Sequence, residues 1–313
     1  MKSIQVEAPG LFTTVQDLGR EGFGLLGVSP SGAADPIALR LGNLLVGNPE
    51  GAGALEMTLI GGTFLFPEGA ILALSGSDFG ATLDGLSIDS WMSFEARSGQ
   101  TLRLGPTRSG ARSYLCVQGG IAVKPFLDSA STHVLSGLGG FEGRPLRKGD
   151  VVRIASASRP YRRRRVAPHI LSRLSPRKML RCTSGPQSEW FAESARRTFY
   201  DSIYLVSEES DRMGLRLEGP AVLESSKRDM ITEGVSLGAI QVPQGGSPIV
   251  LFVDQQTTGG YPKIANVISA DMPSVGQLRP RDEIRFERAS FEVARSLLQE
   301  QERLLSSQEL IQE

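Results

Sequence analysis

Short apolar runs separated by glycine, proline and small polar clusters recur along most of this chain, the pattern of strands joined by tight turns. In the first half, Thr63–Phe66, Ala70–Leu74, Thr101–Leu104, Ser113–Val117 and Asp150–Ile154 read as strands. In the second half, Lys178–Cys182, Ile203–Val206, Ala239–Val242, Ile249–Val253, Ile264–Ile268 and Glu283–Phe286 do the same. One early segment has the helical period instead. Ile37, Leu41, Leu44 and Leu45 form a single apolar stripe; Asp35 suits an N-cap, Pro36 the first helical position, and Gly47-Asn48-Pro49 a stop. A short helix carrying Trp190 and Phe191 is expected after Ser188. Past Ala289 the period turns helical again, with Phe291, Ala294, Leu298 and Leu305 on one side, and the Gln/Glu-rich tail is expected to fray beyond Leu305.

Many short strands with a few helices imply a mainly β protein, closed or sandwiched rather than doubly wound. Composition shifts at Ser156-Ala157-Ser158-Arg159-Pro160-Tyr161, followed by Arg162-Arg163-Arg164-Arg165. The expected organisation is therefore a first subdomain over 1–157, a basic linker over 158–168 and a second subdomain over 169–313. The similar strand content of the halves suggests two related barrels. A solvated linker explains the arginines more simply than phosphate contact does.

Charge and cysteine content narrow the class. The 313 residues carry 34 basic and 34 acidic side chains, 34 − 34 = 0 net, which argues against bulk attraction to nucleic acid or membrane. Met1 to Glu7 lacks the apolar core of a secretory signal, and no run approaches the ~18 apolar residues of a membrane span. Cys116 lies inside a strand, and both it and Cys182 are expected as buried free thiols, which fits a reducing cytoplasm. His133 and His169 have no metal-ligand spacing, so no metal site is expected.

The densest collection of reactive side chains is the loop Gln255-Gln256-Thr257-Thr258-Gly259-Gly260-Tyr261-Pro262-Lys263, delivered by the strand ending at Asp254. Loops held by a rigid scaffold often carry binding groups; the competing reading is an ordinary hairpin turn. Three other segments combine turns with polar groups: Thr13 to Asp35, Ser75 to Asp78, and Val117 to Ile121. At Asp35, helix capping competes with a catalytic carboxylate. Gly119 and Gly120 would let a ligand approach backbone amides. No P-loop, nucleophile elbow, dinucleotide fingerprint or HExxH site is present. Acid–base chemistry therefore falls to carboxylates, Lys263 and Tyr261.

Taken together the motifs resemble the biotin-dependent carboxyltransferase family, also called allophanate hydrolase subunit 2 or KipI-antagonist proteins. The similar stretches are Pro9 to Arg20, Ser31 to Asp35, Gly47 to Ala52, Leu55-Glu56, Gln118-Gly119-Gly120 and Gly137 to Phe141. They continue through Ser210 to Leu217, Glu233-Gly234-Val235, Gly238 to Pro243 and Asp254 to Ala265. The resemblance implies two cyclophilin-like β-barrel subdomains and a smaller partner, the KipI-like B subunit. In the 5-oxoprolinase branch it implies a further partner, the LamB/YcsF-like A subunit. There the complex binds ATP and opens 5-oxoproline to glutamate. In the urea branch it implies carboxyl transfer from carboxybiotin; a third branch is an antagonist that binds a KipI-like partner. The chain shows no biotin-carboxylase or biotinyl-lysine region, which favours the 5-oxoprolinase branch. At the similar positions Asp35, Asp78, Asp211, Asp254, Lys263 and Tyr261 are the expected catalytic groups. Gln118, Gly119, Gly120, Arg212, Gln241, Gln256, Thr257, Thr258, Gly259 and Gly260 are the expected substrate-binding groups.

Overall fold

The computed structural model describes residues 2–157, 161–224 and 230–313. They form two compact units. The first comprises Met1–Arg20, Ser31–Leu174 and Leu304–Glu313; the second comprises Glu21–Pro30 and Ser175–Arg303.

The architecture is mainly β; the strands expected from apolar runs lie within two residues of those runs, and Ser3–Ala8, Phe12–Gln16, Ala54–Thr58, Ser93–Ala96 and Gly214–Glu218 are further strands that the sequence reading did not name. In the first unit, one sheet runs Val151–Arg153, Ser3–Ala8, Thr63–Phe66, Gln100–Arg103, Thr82–Leu83, Leu86–Ser87. The other runs Phe12–Gln16, Ala54–Thr58, Arg112–Val117, Ala70–Gly76, Ser93–Ala96. Ile4, Phe64 and Leu102 of the first sheet share one core with Leu55, Leu72 and Leu115 of the second. The opposite face of the second sheet, through Ala73, Tyr114 and Cys116, packs on the helix Pro36–Leu45. Every residue of Arg112–Val117 is consequently buried, and its part Tyr114-Leu115-Cys116-Val117 reads as an apolar run rather than an alternation. Asp35 Oδ1 caps the helix, accepting from Ala38 N–H at 3.0 Å.

The second unit closes into a barrel. Its order is Met179–Ser184, Lys263–Val267, Ala239–Gln241, Ile249–Leu251, Gly214–Glu218, Tyr204–Val206, Glu283–Arg288, and the last pairs parallel with the first. Phe199, from the helix Glu193–Asp201, stacks on Phe286 at 4.5 Å between centroids. That helix has no apolar stripe to announce it: only Phe199 of its residues is buried.

Three expectations differ from the structure. Ser158, Arg159 and Pro160 of the expected linker lie outside the described residues, but 161–168 are built into the first unit. Arg165–Val166 is a strand, and Arg162 and Arg164 pair with Glu313 at 2.8 and 3.4 Å. The tail does not end in a frayed helix: Leu310 is buried and Ile311–Gln312 pairs with Arg165–Val166. Glu21–Pro30, in the middle of the first half of the sequence, belongs to the second unit, where Ser29 Oγ donates to Val253 O at 3.3 Å. Both exchanges are set by long-range pairing, to which local composition is blind.

Both cysteines are free and buried, and burial pushes both thiols upward from their ordinary pKa. No helix among the described residues is long and apolar enough to cross a membrane, and none of their His, Cys, Asp and Glu side chains cluster in threes to hold a metal.

Candidate functional site

The segment between Ile249–Leu251 and Lys263–Val267 is not a hairpin turn. Those strands flank Ala239–Gln241 on either side and pair with it rather than with each other. The connection must therefore cross the end of the intervening strand, where Gln241 sits opposite Lys263 in register. On its way it gains a second anchor: Thr258–Gly259 pairs with Glu233–Gly234, placing Glu233 opposite Gly259. Gln255 ties the loop down as well, its amide donating to Ser236 O and accepting from Leu237 N–H, both at 3.0 Å. One crossover thus gathers side chains from four places in the sequence.

Lys263 is the centre of this corner. Its side chain is 3% exposed, and Nζ lies 2.5 Å from Glu233 Oε1. Gln187 brackets the pair: its Nε2 donates to the same carboxylate oxygen at 2.8 Å, while its Oε1 accepts from Lys263 N–H at 3.1 Å. The hydrogen bond from Lys263, then that from Gln187, holds the Glu233 carboxyl below the ordinary glutamate range. A carboxylate held in this way stays ionised and remains an acceptor.

Two polar atoms here are left unengaged. Gln241 is 2% exposed, and its Nε2 has no hydrogen-bond partner, although its Oε1 accepts from Gln256 Nε2 at 3.4 Å. Glu233, whose side chain is 45% exposed, uses only Oε1 among the described residues; Oε2 accepts nothing from them. A buried amide donor without a partner costs roughly 1–3 kcal/mol, so its persistence calls for an explanation, and a ligand supplies one. Gly259 packs against this amide. A Cβ there would lie 2.4 Å from Gln241 Nε2, yet the residue has ordinary negative-φ backbone, so space and not conformation demands glycine.

The other expected site residues have different positions. Asp254 and Arg212 form a buried bidentate pair, Nε–Oδ2 2.7 Å and Nη2–Oδ1 3.3 Å, and Asp254 N–H donates to Arg212 O at 2.8 Å. These charges brace the loop from below and face each other rather than a ligand. Asp211 closes a turn, accepting from Met213 and Gly214 N–H at 2.8 and 3.1 Å. Tyr261, Thr258 and Gly260 are exposed on the loop, and Gln256 and Thr257 are half-buried. Asp35, Asp78, Gln118, Gly119 and Gly120 all belong to the first unit. Asp35 N–H donates to Tyr114 Oη at 2.7 Å, and that hydroxyl donates to Glu56 Oε2 at 2.7 Å, so the carboxylate at this helix start is a cap within a buried network. Burial, then the Glu56 charge, keeps Tyr114 protonated far above its ordinary pKa. Asp78 is a surface residue paired with Arg108 at 3.1 Å.

The polar stretch around Thr13 to Arg20 is also internal. Phe12–Gln16 is a strand, and the Asp17 carboxylate accepts from Ser129 Oγ at 2.7 Å, Ser131 Oγ at 2.5 Å, Ala130 N–H at 2.6 Å and Gly19 N–H at 2.7 Å. The Gln118-Gly119-Gly120 amides, expected to face a ligand, are engaged by the fold: they donate to Ile71 O at 2.9 Å, Asn48 Oδ1 at 2.8 Å and Val117 O at 2.8 Å.

Sequence reasoning gave no role to Glu233 or Gln187. Glu233 stands in one of the motifs that carry the family resemblance, which was a usable signal. Gln187 has none, since only the barrel brings it to Lys263.

A family model described as carboxyltransferase domain, subdomain A and B, matches residues 26–288. The chain is 39% identical over 300 residues to the 5-oxoprolinase C subunit of Escherichia coli, covering 96% of each protein. It is 33% identical over 326 residues to the urea amidolyase of Saccharomyces cerevisiae, covering 97% of this chain and 18% of that one. The crystal structure of the Kluyveromyces lactis urea carboxylase superposes with a TM-score of 0.90 at 34% identity, covering 97% of this chain and 29% of the other. The chain therefore spans nearly the full length of the bacterial relative but only a minor part of the fungal proteins. It belongs to the carboxyltransferase domain family, subdomains A and B.

Proposed function

We propose that this chain is the C subunit of an ATP-dependent 5-oxoprolinase complex, which opens 5-oxo-L-proline to L-glutamate together with A and B subunits in the cytoplasm. The observation that carries this reading is the unengaged donor, Gln241 Nε2, which lies against Gly259, whose strand partner Glu233 carries the unengaged acceptor Oε2 and holds the buried Lys263. A donor next to an acceptor complements an amide that presents its carbonyl oxygen and its N–H on the same edge. A lactam does so; an extended peptide bond, being trans, does not. The near full-length similarity to the Escherichia coli 5-oxoprolinase protein supports the choice of lactam.

Within this reading, Gln241 donates to the lactam carbonyl oxygen and Glu233 accepts its N–H. Lys263 keeps Glu233 ionised, and Gln187 fixes the orientation of both. Fixed, preorganised hydrogen-bonding groups supply orientation and charge stabilisation without rearrangement during the reaction. In the net reaction one water adds to the lactam carbonyl carbon, the carbon–nitrogen bond breaks and the nitrogen leaves as the amine of glutamate, while a second water takes the terminal phosphoryl group of ATP to give ADP and phosphate. ATP does not suit this corner: Lys263 is buried and already held by Glu233, an arrangement for a neutral amide and not for a triphosphate. Nucleotide chemistry is left to the complex.

The ureido ring of biotin and urea itself present the same edge, and the chain resembles urea amidolyase. The alternative is therefore a carboxyltransferase that takes carboxyl from biotin. The test is glutamate release from 5-oxoproline and ATP by this chain mixed with the A and B subunits, with each protein omitted in turn and avidin added in parallel. Turnover needing all three proteins and indifferent to avidin is expected. Avidin-sensitive turnover would select carboxyl transfer, and a stable complex with the KipI-like partner that turns over nothing would select a regulator.

A further inference from the structure

The motif Gly137-Leu138-Gly139-Gly140-Phe141 has no part in the corner described above; it lines a groove of about 700 Å³ in the first unit. Three features meet there. The first is an open sheet edge. Val151–Arg153 is the outermost strand of its sheet. The hydrogen bonds Ile154 N–H to Lys2 O and Val6 N–H to Asp150 O show that even-numbered residues bond inward to Ser3–Ala8. Val151 and Arg153 therefore turn their backbone groups outward. Ala122 N–H takes Arg153 O at 2.9 Å; the Val151 N–H and C=O and the Arg153 N–H have no outward partner among the described residues.

The second feature is a run of unengaged donors. The amides of Gly139, Gly140, Phe141 and Glu142 donate to nothing among the described residues, while Gly139, Gly140 and Glu142 all have positive φ, 65°, 56° and 55°. Successive N–H groups in such a turn form a concavity suited to an anion. The loop is preorganised, since it packs directly on Ser131 and Thr132. The third feature is the wall. Lys124 and Arg153 supply positive charge, whereas the acid of the groove, Glu142, is neutralised by Arg144 at 2.7 Å. Phe126 and Phe141 supply apolar surface, each ring held under a guanidinium, Arg20 at 5.4 Å and Arg144 at 5.1 Å.

We propose that this groove captures the free C-terminus of an extended polypeptide from a partner protein. The terminal carboxylate rests on the Gly139–Glu142 amides with Lys124 and Arg153 nearby. The preceding residues add a strand to the Val151–Arg153 edge, and the last side chain, an apolar one, lies between Phe126 and Phe141. Charge complementarity selects a carboxylate, and the open edge selects an extended chain over a small acid.

The test uses the full chain against an array of hexapeptides ending in each of the twenty residues, displayed with free carboxyl ends and again as C-terminal amides. Free-acid peptides ending in apolar residues are expected to bind at least about tenfold better than their amides. Lys124→Glu and Arg153→Glu, both surface changes, are each expected to weaken binding by about tenfold. Hydrogen exchange should slow at Val151, Arg153 and the Gly139–Glu142 amides on binding. Equal binding of acids and amides, no bound peptide, or protection confined to other residues would overturn the proposal. So would binding of free valine as tight as that of the best peptide, which would make the site one for small carboxylates.

Discussion

Two glycine pairs in this molecule look alike in sequence and do opposite things. Gln118-Gly119-Gly120 and Gln256 to Gly260 both follow apolar strands and both join an amide side chain to a Gly-Gly. In the first, every backbone amide is engaged by the fold, and the glycines are demanded by conformation: φ is 97° and 78°, and a Cβ at Gly119 would lie 2.1 Å from Ala155 O. In the second, Gly259 has ordinary backbone and faces an amide nitrogen, Gln241 Nε2, with nothing to bond. Glycine content does not mark a site. Polar atoms that the fold positions and leaves unengaged do.

The comparison can be broken in several places. The largest effect belongs to Lys263→Ala, which strips Glu233 of its cation; turnover of the reconstituted complex should fall on the order of a thousandfold. Full activity in the glutamate-release assay would remove the corner from the chemistry.

Next comes the contrast between the glycines. Gly119→Ala puts a methyl against a backbone carbonyl at a residue with positive φ, which costs about 3 kcal/mol or more and should lower the thermal midpoint by about 10 °C. Gly259→Ala meets only side chains, the far end of Gln241 and a Val235 methyl at 3.2 Å, so its midpoint should move by no more than about 2 °C. Yet it should weaken substrate binding by about tenfold or more, because the methyl pushes the Gln241 amide donor out of position. Calorimetry on both variants, with substrate titration on the second, checks the pair. Equal midpoints, or unimpaired binding with Gly259→Ala, would erase the distinction.

The smallest effect is a titration. Glu233 is held below its ordinary pKa by Lys263 and Gln187, so whatever it contributes to stability is complete above the unfolded value, about 4.3, and is lost as pH falls through the lower folded value. Carbon NMR of the carboxyl group should place its midpoint below that of a free glutamate, and Lys263→Ala should move it upward. A midpoint above the free value would contradict the pairing.

How much of this was legible beforehand follows from the range of the interactions. Strands such as Thr63–Phe66 and Arg112–Val117, and the helix capped by Asp35, follow from apolar period and capping chemistry, which are local. Lys263 and Gly259 stood out because chemistry-bearing residues clustered in one stretch, and Gln241 because it stands in the motif Gly238 to Pro243 that carries the family resemblance. The ion pair of Asp254 with Arg212, the bracketing of Lys263 by Gln187 and Glu233, and the passage of Glu21–Pro30 into the second unit depend on strand order. Strand order is set by pairing between distant segments, and no periodicity records it. The same ignorance made an ordinary hairpin a fair reading of a loop that in fact crosses a strand.

The central claim is that the Glu233 carboxylate, held by Lys263, engages the substrate. Its most direct test is Glu233→Gln in the reconstituted three-protein complex, a change that keeps size but removes the charge and replaces one acceptor oxygen with a donor. Glutamate release should fall on the order of a hundredfold while the complex still assembles. Unchanged release with an intact complex would contradict the account.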